Sequence, residues 1–427
     1  MAETRDLTKR HFDDLIGAYL AYCHNVKAPE TYKKWAAVSM IAGALQRKVW
    51  YTTGKIWWYP NMYIFLIGER STRKSSSSKI AVGLLRELEN FDVSTAQVNT
   101  ASLMRDIAEA GKLNSFEHFG KTYRFSPMYI YASEAAMVLG AMYIKGSPID
   151  YLVDVYNCND ESHLEKPQAV RSTIAWGKQA VYNPVVNILA CSTPAWLTGK
   201  LITREDVHGG FGSRITFVVH EGEYDDNDDV HVEDTVDDEV LRRKLIEDLR
   251  SIHSLVGGFA STDGWRTAMA VYNRKHKDWI NEHKFQDRIL AACLARKTDA
   301  AMQKMSMLLA INEGNTLVLE ERHAHAAWEM LTDLEKTMPY ALGDLGSNLE
   351  VKPAQDILAY LREKKATTIT YQTLCRIFAK VHTAKRIREG LSNLELQGVL
   401  ALDRVSSRLP NLTFTVVNVD AQNQKQR

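Results

Sequence analysis

The chain has no CxxC pair, and its five cysteines (Cys23, Cys158, Cys191, Cys293 and Cys375) are scattered and odd in number. That argues against a disulfide framework and against a cysteine zinc site. No apolar run approaches a membrane span. The first residues, Met1 to Asp6, lack the apolar core of a signal peptide, so the expected compartment is the cytoplasm of a bacterial or archaeal host, with no membrane association. Charge of either sign is not in excess: 53 Lys and Arg oppose 52 Asp and Glu. Without a global basic field, any nucleic-acid surface must be local. There is no internal repeat. What remains is 427 residues, 45% of them hydrophobic, enough for a sizeable core and for two or three domains.

The most informative segment is Gly68-Glu69-Arg70-Ser71-Thr72-Arg73-Lys74-Ser75, directly after the apolar run 62–67. A buried strand that ends in glycine and opens a helix can wrap phosphates with backbone N–H groups. In this reading residues 68–76, through Ser76, bind nucleotide. Lys74 reaches the β- and γ-phosphates and Ser75 binds Mg²⁺, with ATP as the substrate. Arg73 stands where the motif usually has glycine. The plain alternative is a serine-rich turn with two basic residues.

Other polar groups follow further apolar runs. Residues 129–132 lead into Ser133 and Glu134, which suit a magnesium-ordering hydroxyl and a water-polarising carboxylate; a helix N-terminal acid is the alternative for Glu134. Residues 186–190 lead into Cys191, Ser192, Thr193 and Pro194. Ser192 and Thr193 fit γ-phosphate sensors, and a helix N-cap before Pro194 fits them equally. Arg214, within Gly210-Phe211-Gly212-Ser213-Arg214, precedes the run 215–219. It suits an arginine finger offered to an adjacent subunit, which requires an oligomer, most simply a closed ring.

Helical periodicity marks residues 12–46 as two helices, with Pro29 and Glu30 at the start of the second. Candidate strands are 63–67, 93–98, 128–131, 185–190 and 215–219, the rhythm of an α/β sheet. The acidic passage 221–239 reads as a solvated linker. Helices are expected through 240–338, including 265–279 and 285–309, and a connector from 339 to 353. Residues 354–364, 370–380 and 383–396 read as three helices and 398–402 with 412–417 as a hairpin, the winged-helix order. Its cations Lys385, Arg386, Arg388, Arg404 and Arg408 suit duplex DNA, although a docking or oligomerisation module has the same pattern. The resulting boundaries are an N-terminal helical segment at 1–47, a core at 48–222, linker and helical lid at 223–345, and a winged-helix-like domain at 350–418.

The order of phosphate loop, acidic strand, sensor strand, arginine and last strand resembles the AAA+ class of P-loop ATPases. More closely, residues 10–345 resemble the helicase-type ATPase family of phage, plasmid and mobile-element replication proteins, often found beside primases. The resemblance is carried by Tyr59-Pro60-Asn61-Met62-Tyr63, the loop 68–75, Ser133-Glu134, Cys191-Ser192-Thr193-Pro194 and Gly210–Ile215. The arginine-before-lysine loop looks like a variant within that family, whereas Ser133 and Glu69-Arg70 depart from the pattern. The resemblance implies an α/β P-loop NTPase core, a probable hexamer, and translocation along single-stranded DNA. No primase motif is visible, so priming implies a primase or polymerase partner. Lys145, Lys166, Arg171 and Lys178, with Trp176, are the candidates for tracking the strand. Two rival readings remain: an initiator or loader that uses ATP as a switch on duplex DNA, and a binding scaffold with a degenerate pocket.

Overall fold

The computed structural model describes residues 10–94, 100–135, 148–158, 164–167, 169–173, 177–197, 210–220, 235–283, 288–346, 352–364, 367–378, 384–396, 399–403 and 412–417. It divides into two compact units, Met1–Leu342 and Gly343–Arg427. Among the described residues no helix is long and apolar enough to cross a membrane.

The first unit is built on a parallel sheet. Its strands are β3 (Tyr63–Ile67), β4 (Val93–Ser94), β7 (Ser126–Ala132), β10 (Pro184–Ser192) and β11 (Ile215–Val219), in the order β11-β3-β10-β7-β4. Every residue of β3, β10 and β11 is buried. Continuous apolar runs of this kind belong in a sheet covered on both faces. Helices α1 (Leu15–Tyr22), α2 (Glu30–Leu45) and α3 (Lys74–Leu85) pack together, and α4 (Thr100–Leu113) lies on β7. Of the strand expected at 93–98, Val93–Ser94 is strand, and 95–99 lie outside the described residues.

Three antiparallel hairpins that periodicity did not reveal precede central strands: β1 (Val49–Thr53) with β2 (Ile56–Trp58), β5 (Ser115–His118) with β6 (Lys121–Arg124), and β8 (Ala169–Thr173) with β9 (Gly177–Val181). They lead into β3, β7 and β10, so all three enter the sheet at its N-terminal end. Strands this short give too few alternations to be read as strands.

Three further expectations are corrected. The acids at the end of the passage 221–239 are not linker: Asp237, Asp238 and Glu239 open the helix Val236–His253, where Thr235 and Asp238 form a capping box. Negative charge is favoured at that end by the helix dipole. The helix expected over 285–309 is interrupted by a π-turn at Lys297–Ala301. There Lys297 is buried, 2.5 Å from Glu335 and 3.7 Å over the Trp328 ring. The connector expected from 339 is helix as far as Gly346, with Pro339 inside it. A proline lacks one N–H, but the buried stripe Leu331, Leu334, Met338, Ala341 and Leu342 holds the helix across it.

The second unit has helices Lys352–Lys364, Tyr371–Ile377 and Ala384–Leu396, close to the expected three. Its sheet has a strand beyond the expected pair: Thr368–Thr370 joins Leu400–Asp403 and Thr413–Val416 in one antiparallel sheet. Ile357, Leu361, Leu374, Ile387, Leu391 and Phe414 form its core.

Buried cations anchor the N-terminal end of the main sheet. Arg47 is fully buried, donates to the carbonyls of Cys158 (2.8 Å) and Pro184 (2.9 Å), and lies 4.2 Å over the Tyr59 ring. Lys48 donates to the His253 carbonyl, and burial lowers its pKa from 10.5 to about 7. Burial also lowers the pKa of His253 to about 4. A lysine depressed in the folded state binds fewer protons than in the unfolded state between its two pKa values. Stability must therefore rise with pH between about 7 and 10, at up to about 1.4 kcal/mol per pH unit for this group. Urea melts at pH 7 and pH 9 are expected to show that rise in the parent, and to show a smaller one in Lys48→Met.

Candidate phosphate-binding site

Parallel strands place their C-terminal ends along one edge, where ligands of open α/β sheets bind. The register sets which residues meet there. Ser192 pairs with Ile67, and Ala190 with Ala132, so Ser133 follows its strand level with Cys191, and Gly68 leaves β3 two positions further along, beside Thr193. Arg70, Ser71, Lys74, Ser75, Ser133, Glu134, Cys191, Ser192 and Thr193 line one cavity of about 570 Å³. That volume lies within the range of ligand pockets. A second cavity, of about 490 Å³, shares Ser71, Lys74 and Ser75 and adds Arg73 and Ser76.

The loop is shaped by close approach and by left-handed backbone. The Tyr32 hydroxyl donates to the Ile67 carbonyl at 2.7 Å, and a Cβ at Gly68 would overlap it. Ser71 and Arg73 have φ of 68° and 58°. The position where the motif usually has glycine is thus left-handed here too, and Arg73 adopts that conformation as the N-cap of α3. Its side chain makes no capping hydrogen bond. The helix opening is therefore not capped from its own N-cap residue, as an anion site requires.

Lys74 is buried and folds along the loop. Its ammonium donates to the carbonyls of Gly68 (2.8 Å) and Glu69 (2.5 Å) and to Thr72 Oγ1 (3.0 Å). Burial lowers its pKa, opposed by Cys191 and Glu69. Ser75 Oγ donates to the Ser133 carbonyl at 3.2 Å, which joins the loop to the end of β7. Glu134 is exposed at the cavity wall. Among the described residues no cluster of three or more His, Cys, Asp or Glu could hold a metal alone. Mg²⁺ fits such a place where hydroxyls, water and substrate phosphates complete its oxygen shell. Ser75 and Ser133 are the oxygen donors at hand.

Arg214 is not in this cavity. It ends the turn Gly212–Arg214 just before Ile215, which pairs with Tyr63, whereas Gly68 follows Ile67 at the far end of the same ladder. Its guanidinium donates to the Gly210 carbonyl at 2.7 Å, and Gly210, at φ +83°, leaves room for it. Within the first unit Arg214 lines a pocket of about 40 Å³ with Tyr156, Lys297 and Glu335. Of the other cations, Lys166 and Arg388 are exposed. Arg171 and Lys178 lie on β8 and β9, and Lys385 and Arg386 on the helix Ala384–Leu396. Lys145, Trp176, Arg404 and Arg408 fall outside the described residues.

Sequence reasoning missed Tyr32, Cys191 and Tyr340. Cys191 is buried on the cavity wall, 3.5 Å from Ser78 Oγ, and burial raises its thiol pKa. Its place between an apolar run and Ser192 was the signal for it. The Tyr340 hydroxyl is 3.4 Å from Glu69 Oε1, a contact across 271 residues that no local pattern announces.

Comparison with protein-family models and with curated proteins gives no match. Among solved structures, a full-length MCM homolog from Methanopyrus kandleri aligns with 76% of this chain at a TM-score of 0.39 and 11% identity. The alignment spans 59% of that protein's length. The mixed α/β architecture with a central parallel sheet and a strand–loop–helix at its C-terminal edge is consistent with a P-loop NTPase fold.

Three variants test the loop geometry. Gly68→Ala is expected to weaken nucleotide binding at least tenfold by isothermal titration, and Tyr32→Phe in the same chain to restore part of the loss by removing the overlapping hydroxyl. Arg73→Gly is expected to raise stability in a urea melt by about 1 kcal/mol, since glycine carries no left-handed penalty.

Proposed function

We propose that this protein is an oligomeric, Mg²⁺- and ATP-dependent DNA translocase of the helicase type. The observation that carries the reading is the convergence of Lys74, Ser75, Ser133, Glu134, Ser192 and Thr193 on one cavity at the C-terminal edge of the parallel sheet. Hydrolysis is in-line attack of water on the γ-phosphate, with the bond to ADP breaking and the water proton passing towards Glu134. Lys74 balances charge on the β- and γ-phosphates, and Ser192 and Thr193 sense the γ-phosphate between the two strands. Ser75 would hold Mg²⁺ with Ser133 in support, and the ion would supply charge neutralisation at the phosphate oxygens. Arg214 acts in trans. Its distance from its own loop agrees with service to a neighbour's site, which is the basis for a ring, in our reading a hexamer.

The strand is gripped by cations of the segment between Glu134 and the sensor strand: Lys145, Lys166, Arg171 and Lys178. The second unit, in the order helix, strand, helix, helix, strand, strand, supports a winged helix for duplex DNA, with Lys385, Arg386, Arg388, Arg404 and Arg408 as its contacts. Residues 223–345 serve as the lid. Replication of a phage or mobile element, with a separate primase or polymerase, is the setting we assign. The second reading, a slow ATP switch, is favoured by Ser133, because a hydroxyl orders magnesium less strongly than a carboxylate.

Hydrolysis measured with and without single-stranded DNA separates these. The expected result is stimulation by the strand of tenfold or more, with hydrolysis abolished in Lys74→Ala and slowed at least a hundredfold in Glu134→Gln. Slow hydrolysis indifferent to DNA would establish the switch instead.

A further inference from the structure

We infer that Phe119, at the tip of the β5–β6 hairpin, is a stacking platform for a base of single-stranded nucleic acid. This inference rests on the translocase reading and gives it a specific contact. His118 pairs with Lys121, so the turn between the strands has two residues, Phe119 and Gly120, with φ of +49° and +73°. Two left-handed residues in a two-residue hairpin turn call for Asn-Gly or Asp-Gly. A phenylalanine there is strained, since bulky side chains disfavour positive φ. The same ring is 92% exposed. Folding gains neither burial nor backbone comfort from it, and such outliers concentrate at functional positions.

The base of the hairpin is fixed. Phe116 is buried, stacks on Tyr123 at 5.8 Å, and shares a core with Trp50, Phe125 and Val185. His118 touches Trp50 at 4.8 Å and Phe119 at 4.2 Å between ring centroids. The tip is therefore an aromatic presented on a rigid arm. Its surroundings favour an anionic partner: Lys121, Arg124 and Lys166 are exposed against Glu117 and Glu165. Lys121 pairs with Glu165 at 2.6 Å, which ties the hairpin to the segment leading into β8, the strand that carries Arg171. An exposed ring at the tip of a hairpin that also carries Lys121 and Arg124 is an arrangement that can hold a single strand, with phosphates on the basic groups and a base on the aromatic face. A protein partner would need an apolar patch around the ring. The exposed residues beside it on the hairpin, Glu117, Lys121 and Thr122, are polar or charged instead.

The test uses Phe119→Asn, which suits the left-handed turn and removes the ring, and Phe119→Trp, which keeps an aromatic. Binding of fluorescein-labelled oligo-dT is read by anisotropy. Hydrolysis without DNA, thermal melting and sedimentation are read beside it. Phe119→Asn is expected to lose roughly 5- to 100-fold in affinity, the range of one base–aromatic stack, and Phe119→Trp to retain it. Both are expected to keep DNA-free hydrolysis and assembly, with the melting temperature of Phe119→Asn equal or higher. Oligo-dT affinity within twofold of the parent in Phe119→Asn overturns the inference and leaves the translocase reading standing. A change in sedimentation with unchanged affinity also overturns it, making the tip a contact between subunits. A parent that binds no oligo-dT removes the translocase reading itself, and this contact with it.

Discussion

The register of β10 between β3 and β7 is the constraint on which the candidate site depends. A ladder slipped by one residue would turn each strand's side chains to the opposite face. It would also shift the strand ends, so that Ser133 would no longer lie level with Cys191, nor Gly68 beside Ser192 and Thr193. Buried amides help fix this register. The Asn187 side chain accepts from the Met62 N–H at 2.9 Å, and Asn61 donates to the carbonyls of Tyr156 and Val186. Lys304 closes the network by donating to Asn61 Oδ1 at 2.6 Å. Removing one partner from such a network leaves buried groups unsatisfied, which gives it more weight than its number of bonds suggests.

The two ends of the sheet are specialised differently. At the C-terminal end the backbone is held in costly left-handed conformations at Ser71 and Arg73, and the Ile67 carbonyl accepts from Tyr32 of α2. At the N-terminal end, buried cations bind strand and loop carbonyls, Arg47 at Pro184 and Lys304 at Asn61. Hairpins extend that end outward. One end gathers groups that can hold phosphates, while the other presents an arm with an exposed ring.

Polar groups at the cavity also hold the loop to itself. Lys74 spends its donors on Gly68, Glu69 and Thr72, which keeps the ammonium near the loop while burial favours its neutral form. Phosphate oxygens offer stronger, charged acceptors in the same place. Glu69, the irregular second residue of the loop, carries its carboxylate towards Tyr340 on the helix Glu321–Gly346. The loop's departure from the common pattern thus coincides with a tertiary contact.

The sequence alone determined the parallel core and the loop, because five-residue apolar runs and a glycine-to-lysine spacing are local signals. It also marked Ser133, Glu134, Ser192 and Thr193 correctly as strand ends, which a linear pattern can do. Tertiary structure decided which ends meet, since register is a pairing between residues over 120 positions apart. It decided that Pro339 stays within a helix, because buried contacts outweigh one missing N–H. It decided that the acids from Asp237 open a helix and do not belong to a linker. Tyr32, Tyr340 and the hairpins were not legible: the first two act only through distant approach, and the strands are too short for alternation to register. The glycine requirement at Gly68 shows the division most clearly. The motif named the residue, but the fold supplied the hydroxyl that forbids any other.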